Sequence, residues 1–156
     1  NFKYVGIDLF GDKANEDEKV PNYLRKQSFS NPIKNLFYNI ILRENLNSYE
    51  SVQKFLKKFS KNITLIKGNS NKILQHFYLE NIDFAFLDGG HSFETVFNDL
   101  NLLFDKISLN KDAIILCDDY EDADYITGVK RAVDQFVKEK KLKFEIIEKR
   151  FAKITI

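Results

Sequence analysis

The sequence predicts an α/β fold, a doubly wound and mostly parallel sheet with helices on both faces and a C-terminal antiparallel hairpin. Three observations predict it. Short β-rich runs alternate with longer stretches of helical periodicity from one end of the chain to the other. Two runs, one holding Ile82, Phe84, Ala85, Phe86 and Leu87 and the other spanning residues 113–117, are too continuously apolar for a strand with one wet face. Finally, residues 143–147 and 151–156 are separated only by Glu148, Lys149 and Arg150, a link short enough for an antiparallel pair.

Taken in order, residues 2–8 form a first strand ending in Asp8, with Leu9, Phe10 and Gly11 behind it. Residues 12–20 are acidic and polar and read as a loop, and Pro21 suits the first turn of a short helix. From Pro32 to Asn47, Ile33, Leu36, Phe37, Ile40 and Ile41 recur at helical spacing; a packing helix accounts for this pattern better than a substrate lid. Residues 48–60 predict another helix, with Val52, Phe55, Leu56 and Phe59 inward and its lysines in solvent. A strand over 63–67 is closed by Gly68, Asn69 and Ser70, and Ile73, Leu74 and Phe77 begin a helix. After the central apolar strand comes a strong helix over 93–107, with Ser92 as its N-cap. Asn110 to Asp112 turn the chain back into the strand at 113–117, and residues 128–141 form the last helix. No repeat or low-complexity linker interrupts this order, so residues 1–156 are expected to form a single domain.

Composition narrows the function. Hydrophobic residues at 44% and charged residues at 30% are globular values, and a net charge of +1 provides no electrostatic footprint for nucleic acid or an anionic membrane. A small-molecule partner is the expectation. Cys117 is the only cysteine, which excludes an internal disulfide, and no run approaches the roughly 20 apolar residues of a membrane span. A cytoplasmic location is therefore expected, with no membrane partner.

The chemistry gathers where strands end. Asp8, Asp88 and the pair Asp118–Asp119 each follow a strand, while a fourth strand runs into Gly68, Asn69 and Ser70. In a parallel sheet these ends share one rim, and ligands bind beyond it. Carboxylates brought close raise one another's pKa unless a cation or hydrogen-bond donors compensate, and an oxygen-only donor set suits Mg²⁺, Mn²⁺ or Ca²⁺. The plain alternative is that each acid caps the next helix or meets its positive end. Asp88 and Asp118, each abutting a fully apolar strand, favour the functional reading; Asp8 suits a ligand hydroxyl better than a metal. His91 is either a general base or a capping or supporting residue, and His76, in a helical pattern beside Phe77 and Tyr78, reads as structural or exposed.

The run Phe84-Ala-Phe-Leu-Asp-Gly-Gly-His-Ser-Phe-Glu94, followed by Asp99, by Ile114-Ile-Leu-Cys-Asp-Asp-Tyr120 and by Gly128-Val-Lys-Arg-Ala-Val-Asp-Gln-Phe136, resembles the class I S-adenosylmethionine-dependent methyltransferases. Within them it is most similar to small-molecule O-methyltransferases of the macrocin and catechol types. Tyr4-Val-Gly-Ile-Asp-Leu-Phe10 and Leu65-Ile-Lys-Gly-Asn-Ser70 match two earlier motifs, and residues 12–60 match least. The resemblance implies that Asp8, with Leu9 beside it, holds the cofactor's ribose and that Gly68, Asn69 and Ser70 lie along its adenine. Asp88 would sit near its methionine end and near a divalent ion, with Asp118 and Asp119 completing the metal site. His91 would take the proton of the acceptor hydroxyl, and a metal such as Mg²⁺ would lower that hydroxyl's pKa.

One departure from the family stands out: only seven residues precede Asp8, where a strand and a glycine-rich turn should lie. Either the native chain is longer or cofactor binding is impaired, and an exposed central edge would then seek cover, for instance in a homo-oligomer. Two other readings follow, a non-catalytic binding or dimerisation domain of the same fold and a metal-dependent hydrolase using Asp88, His91, Asp118 and Asp119.

Overall fold

The computed structural model describes residues 2–10, 31–37, 47–79, 81–107, 112–121 and 126–156. Its strands pair into two sheets, and its contacts cluster into two compact units, residues 1–69 and 70–156. The predicted loop at 12–20, the turn at Pro21 and most of the helix expected between Pro32 and Asn47 lie outside the described residues.

In the first unit, strands β1 (Tyr4–Asp8) and β2 (Ile63–Lys67) pair in parallel from Tyr4 beside Ile63 to Asp8 beside Lys67. The Gly68 N–H then donates to the Asp8 carbonyl at 2.9 Å, so the ladder carries on past both strand ends. Helix α1 (Pro32–Leu36) starts at Asn31, whose side chain accepts the Ile33 N–H, with Pro32 in the first turn where a missing donor costs nothing. Helix α2 (Tyr49–Phe55) is capped by Ser48 in the same way. The helix expected over residues 48–60 is broken: at Leu56 the backbone leaves helical geometry, and a tighter 3₁₀ turn follows over Lys57–Phe59. Phe55, the last residue of α2, is 81% exposed and Phe59, in the 3₁₀ turn, 46%, so the two do not form the inward face expected of them. Among the described residues of this unit Phe10 is buried, set edge-on against Tyr49 with ring centroids 5.2 Å apart.

The second unit contains α3 (Ser70–His76), β3 (Phe84–Leu87), α4 (Phe93–Ile107), β4 (Ile114–Cys117), α5 (Ile126–Lys140), β5 (Lys143–Ile147) and β6 (Phe151–Thr155). Its sheet has the order β3-β4-β6-β5, with β3 and β4 parallel and β6 antiparallel to both of its neighbours. Helices α3 and α4 touch, as do α4 and α5. Val96, Leu100, Leu103 and Ile107 of α4 recur at the spacing of one helical face, as do Val129, Ala132, Val133, Phe136 and Val137 of α5, and all are buried. Phe104 of α4 meets Phe136 of α5 edge-on at 5.7 Å. On the sheet, register sets Ile115 beside Ile154 and Cys117 beside Ala152, and all four are buried. Full burial of an Ile side chain such as Ile115 or Ile154 contributes about 1.5–3 kcal/mol.

The opposite face departs from expectation. Phe84 and Phe86 of β3 are 56% and 51% exposed, where the apolar run was expected to be buried on both faces, and Ala85 and Leu87 between them are half-buried. An apolar run has no period to report this, because sequence records what each residue prefers and not what lies over it.

Two backbone features shape the sheet's end. Helix α5 closes with the Leu142 N–H on the Val137 carbonyl and the Lys141 N–H on the Lys138 carbonyl, Lys141 taking the left-handed φ of 56° that this cap demands. Between β5 and β6, Glu148 and Lys149 both have positive φ, 53° and 54°, and the Arg150 N–H donates to the Ile147 carbonyl. This is the signature of the mirror-image turn whose twist matches a hairpin.

Candidate active site

Two parallel strands deliver the acids. The register that sets Leu87 beside Cys117 is extended by the Asp118 N–H donating to the Leu87 carbonyl at 2.9 Å, so Asp88 and Asp118 leave the sheet side by side. Asp119 follows with φ at 55°, a reversal permitted to a short polar residue, and its N–H donates to Asp118 Oδ1 at 2.7 Å. Together with Gly89, Gly90 and His91 these acids line a small cleft floored by Leu87 and Cys117 and walled by Val96 and Val129.

His91 Nε2 stands 3.0 Å from Asp119 Oδ2. With the imidazole neutral, the carboxylate takes Nε2–H and makes Nδ1 the basic nitrogen, the arrangement by which an acid orients a histidine. Ser92 caps α4 as expected, its Oγ accepting the Thr95 N–H at 3.2 Å, and this fixes the backbone next to His91. Helix α5 presses on the same segment. A Cβ on Gly128 would lie 1.9 Å from the His91 carbonyl oxygen, so only glycine permits this approach.

Asp118 is buried and its carboxylate is held at both oxygens by Arg150, with Nε to Oδ1 at 2.5 Å and Nη2 to Oδ2 at 2.6 Å. Burial pushes the Asp118 carboxyl up, but the hydrogen bonds from Arg150 and the Asp119 N–H, with the guanidinium charge, together hold it below the ordinary range. Asp88 moves the other way. Loss of water around its carboxyl is the leading cause, followed by the charges of Asp118 and Asp119, and these outweigh His91 and Arg150, although the residue keeps an exposed surface. Burial also pushes the Cys117 thiol up to about 12, which marks it as a packing residue.

Beside this group, Tyr120 is buried and donates its hydroxyl to Asp134 Oδ1 at 2.7 Å, while Lys130 Nζ donates to the same hydroxyl at 2.9 Å. The Tyr120 N–H donates to the Arg150 carbonyl, which ties the hairpin turn to the acid segment.

The remaining expected site residues divide between the two units. In the first, Asp8 Oδ1 accepts the Phe10 N–H at 2.5 Å, the local turn role that acids after strands commonly take, and Leu9 lies within that turn. Gly68 is beside Asp8 through the ladder bond, and Asn69 closes the unit. In the second, the Ser70 hydroxyl donates to buried Asp99 at 2.7 Å, and Asn71 Nδ2 donates to Asp99 and to the Thr95 carbonyl, fastening α3 to α4. The Ser70 side chain thus has a structural partner.

Of the residues that shape this region, Asp99 is named in the family resemblance without a role, and in the fold it receives Ser70 and Asn71. Arg150 was missed by reasoning from sequence, because it reads as one of three polar residues in a turn. For Mg²⁺ at Asp88, Asp118 and Asp119, the oxygen donors suit the ion chemically but the arrangement does not. Both Asp118 oxygens are taken by Arg150, Asp119 is paired with His91, and among the described residues no three acid, His or Cys donors are grouped to hold a metal. No described helix is long and apolar enough to cross a membrane.

Comparison with known proteins gives a consistent picture. Residues 2–120 match the family model of a methyltransferase domain. A search of curated protein sequences finds no match. Among solved structures, the O-methyltransferase NovP is similar at 16% identity and a TM-score of 0.68, over 98% of this chain and 59% of that enzyme. A Staphylococcus aureus protein assigned as a caffeoyl-CoA O-methyltransferase is similar at 9% identity and a TM-score of 0.57, over 99% of this chain and 75% of the other. A Clostridium thermocellum protein assigned as an rRNA methylase is similar at 18% identity and a TM-score of 0.50, over 69% of each. At such identities a structural likeness establishes the fold alone, a mixed α/β fold of the Rossmann-like methyltransferase kind. The chain spans 59% of NovP's length.

Proposed function

Because the chain belongs to the methyltransferase domain family, we propose that it transfers the methyl group of S-adenosylmethionine to a hydroxyl of a small molecule of the sugar or phenol type. The observation that carries this reading is the His91–Asp119 pair at the carboxyl end of the parallel strands, next to Asp88. The donor supplies an electrophilic methyl on a positively charged sulfur. An acid cluster suits a positively charged ligand, and Asp88, whose carboxyl is raised by burial and by two neighbouring acids, is the group that such a charge would relieve most.

His91, oriented by Asp119, takes the acceptor's hydroxyl proton on its basic nitrogen while the acceptor oxygen forms its bond to the methyl carbon and the sulfur–methyl bond breaks. Asp88 orients the methionine end, and holding oxygen, methyl and sulfur in line supplies much of the rate. In the first unit, the reading assigns the ribose hydroxyls to Asp8, with Leu9 beside it, and the adenine to Gly68 and Asn69; in the second, Ser70 contributes through its backbone. The whole chain is read as one methyltransferase-like domain.

A divalent ion at Asp88, Asp118 and Asp119 is a second reading. It is favoured by the mutual proximity that lets Asp118 and Asp119 each raise Asp88, and opposed by the Arg150 chelate.

The test is transfer of a labelled methyl group from S-adenosylmethionine to a panel of phenols and sugars. His91→Ala is expected to lower the rate by about 10²–10⁴, the usual worth of a general base. Asp88→Asn is expected to abolish transfer. Unchanged turnover in either variant would remove the corresponding assignment.

A further inference from the structure

We propose that Arg150 is an internal counter-cation, which by chelating Asp118 keeps a divalent metal ion off the Asp88, Asp118 and Asp119 carboxylates. The geometry is specific. The guanidinium presents Nε and Nη2 to the two oxygens of one carboxylate, the paired contact that a planar fork makes and a lysine cannot, and Nη2 also lies 3.9 Å from Asp119 Oδ1.

The fold holds the backbone of this residue at two points and its side chain at a third. The Tyr120 N–H donates to its carbonyl at 2.8 Å, its own N–H closes the turn on Ile147, and its guanidinium lies over the Phe151 ring, 5.1 Å from the centroid. The turn that delivers it has Glu148 and Lys149 in left-handed conformations, which residues with side chains of this kind rarely adopt. A turn made from these residues is not the cheapest way to join two strands, and one result of its shape is that Arg150 meets Asp118.

Occupancy by the guanidinium and by a metal are mutually exclusive. An ion of the magnesium class bonds a carboxylate oxygen at about 2.0–2.1 Å. Both Asp118 oxygens already face guanidinium nitrogens at 2.5–2.6 Å, and the arginine would have to withdraw for a metal to approach them. Arg150 is 57% exposed on its side chain, so it has room to withdraw when Asp118 releases it and can be replaced without opening the core.

The inference rests on the methyl-transfer reading only for its consequence, that transfer proceeds without added metal. Its test reads the ion pair directly. The intact chain, Arg150→Gln and the double variant Arg150→Gln with Asp118→Asn are titrated with Mn²⁺, and the bound fraction is followed by electron paramagnetic resonance, with circular dichroism confirming that each is folded. The expected result is that Arg150→Gln binds Mn²⁺ at least about tenfold more tightly than the parent and that the gain disappears in the double variant. If Arg150→Gln binds no more tightly than the parent, whether both bind or neither does, the proposal is overturned. A chain that binds Mn²⁺ as expected yet transfers no methyl group would count against the function and leave this inference standing.

Discussion

Asp118 and Asp88 lie side by side on neighbouring strands and are driven in opposite directions, one held down by a guanidinium and the other pushed up by lost water and by its neighbours. The sign of the resulting pH dependence follows. A carboxyl whose folded pKa lies below its unfolded value leaves the unfolded state binding more protons, so its stabilisation is present above the ordinary value of 3.8 and is lost as pH falls through the folded pKa. Asp88 has the opposite sign, its folded form binding the proton first. Arg150→Gln removes the main group lowering Asp118. Its acid-unfolding midpoint, followed by circular dichroism, is therefore expected at a higher pH than the parent's, and an unmoved midpoint would show that the ion pair has no hold on the folded state.

How much of this was legible depended on distance along the chain. Asp88 and Asp118 were visible because each ends an unbroken apolar run, and His91 because it lies three residues beyond Asp88. Arg150 was not. Its partner is 32 residues away, and the contact depends on a strand register and on a turn of non-glycine residues with positive φ.

Among the elements, α4 was read from sequence with its bounds, Phe93–Ile107, because a serine cap and a sustained apolar face both marked it. Helix α2 was not, since its apolar positions fit one helix while the backbone at Leu56 does not. Gly128 belongs to the same lesson. In sequence it looked like the first residue of a helix, and in the fold it is the point where α5 meets the His91 backbone with no room for a methyl group. Gly128→Ala has no side-chain rotation that relieves the contact, so the helix or the 91–93 segment must move. The expected loss is about 3 kcal/mol, at the upper end of overpacking costs, measured by urea unfolding. A loss below about 1 kcal/mol would mean that the close approach is not made in solution.

At the scale of the whole chain, two parallel strand pairs carry the polar residues that sequence and family likeness single out, β1 with β2 and β3 with β4. Alternation of strands and helices announced the parallel pairing, and a three-residue link announced the antiparallel hairpin. The division into two sheets was not announced. Nor was the half-exposed face of Phe84 and Phe86, because both depend on which segments lie alongside rather than on what each segment prefers. Family membership and the His91–Asp119 pair lead to one claim above the others, that this chain binds the methyl donor. Calorimetric titration with S-adenosylhomocysteine, the donor's product, tests it most directly. Saturable one-to-one binding, weakened in Asp88→Asn, is the predicted result, and no measurable heat from a chain that circular dichroism finds folded would contradict it.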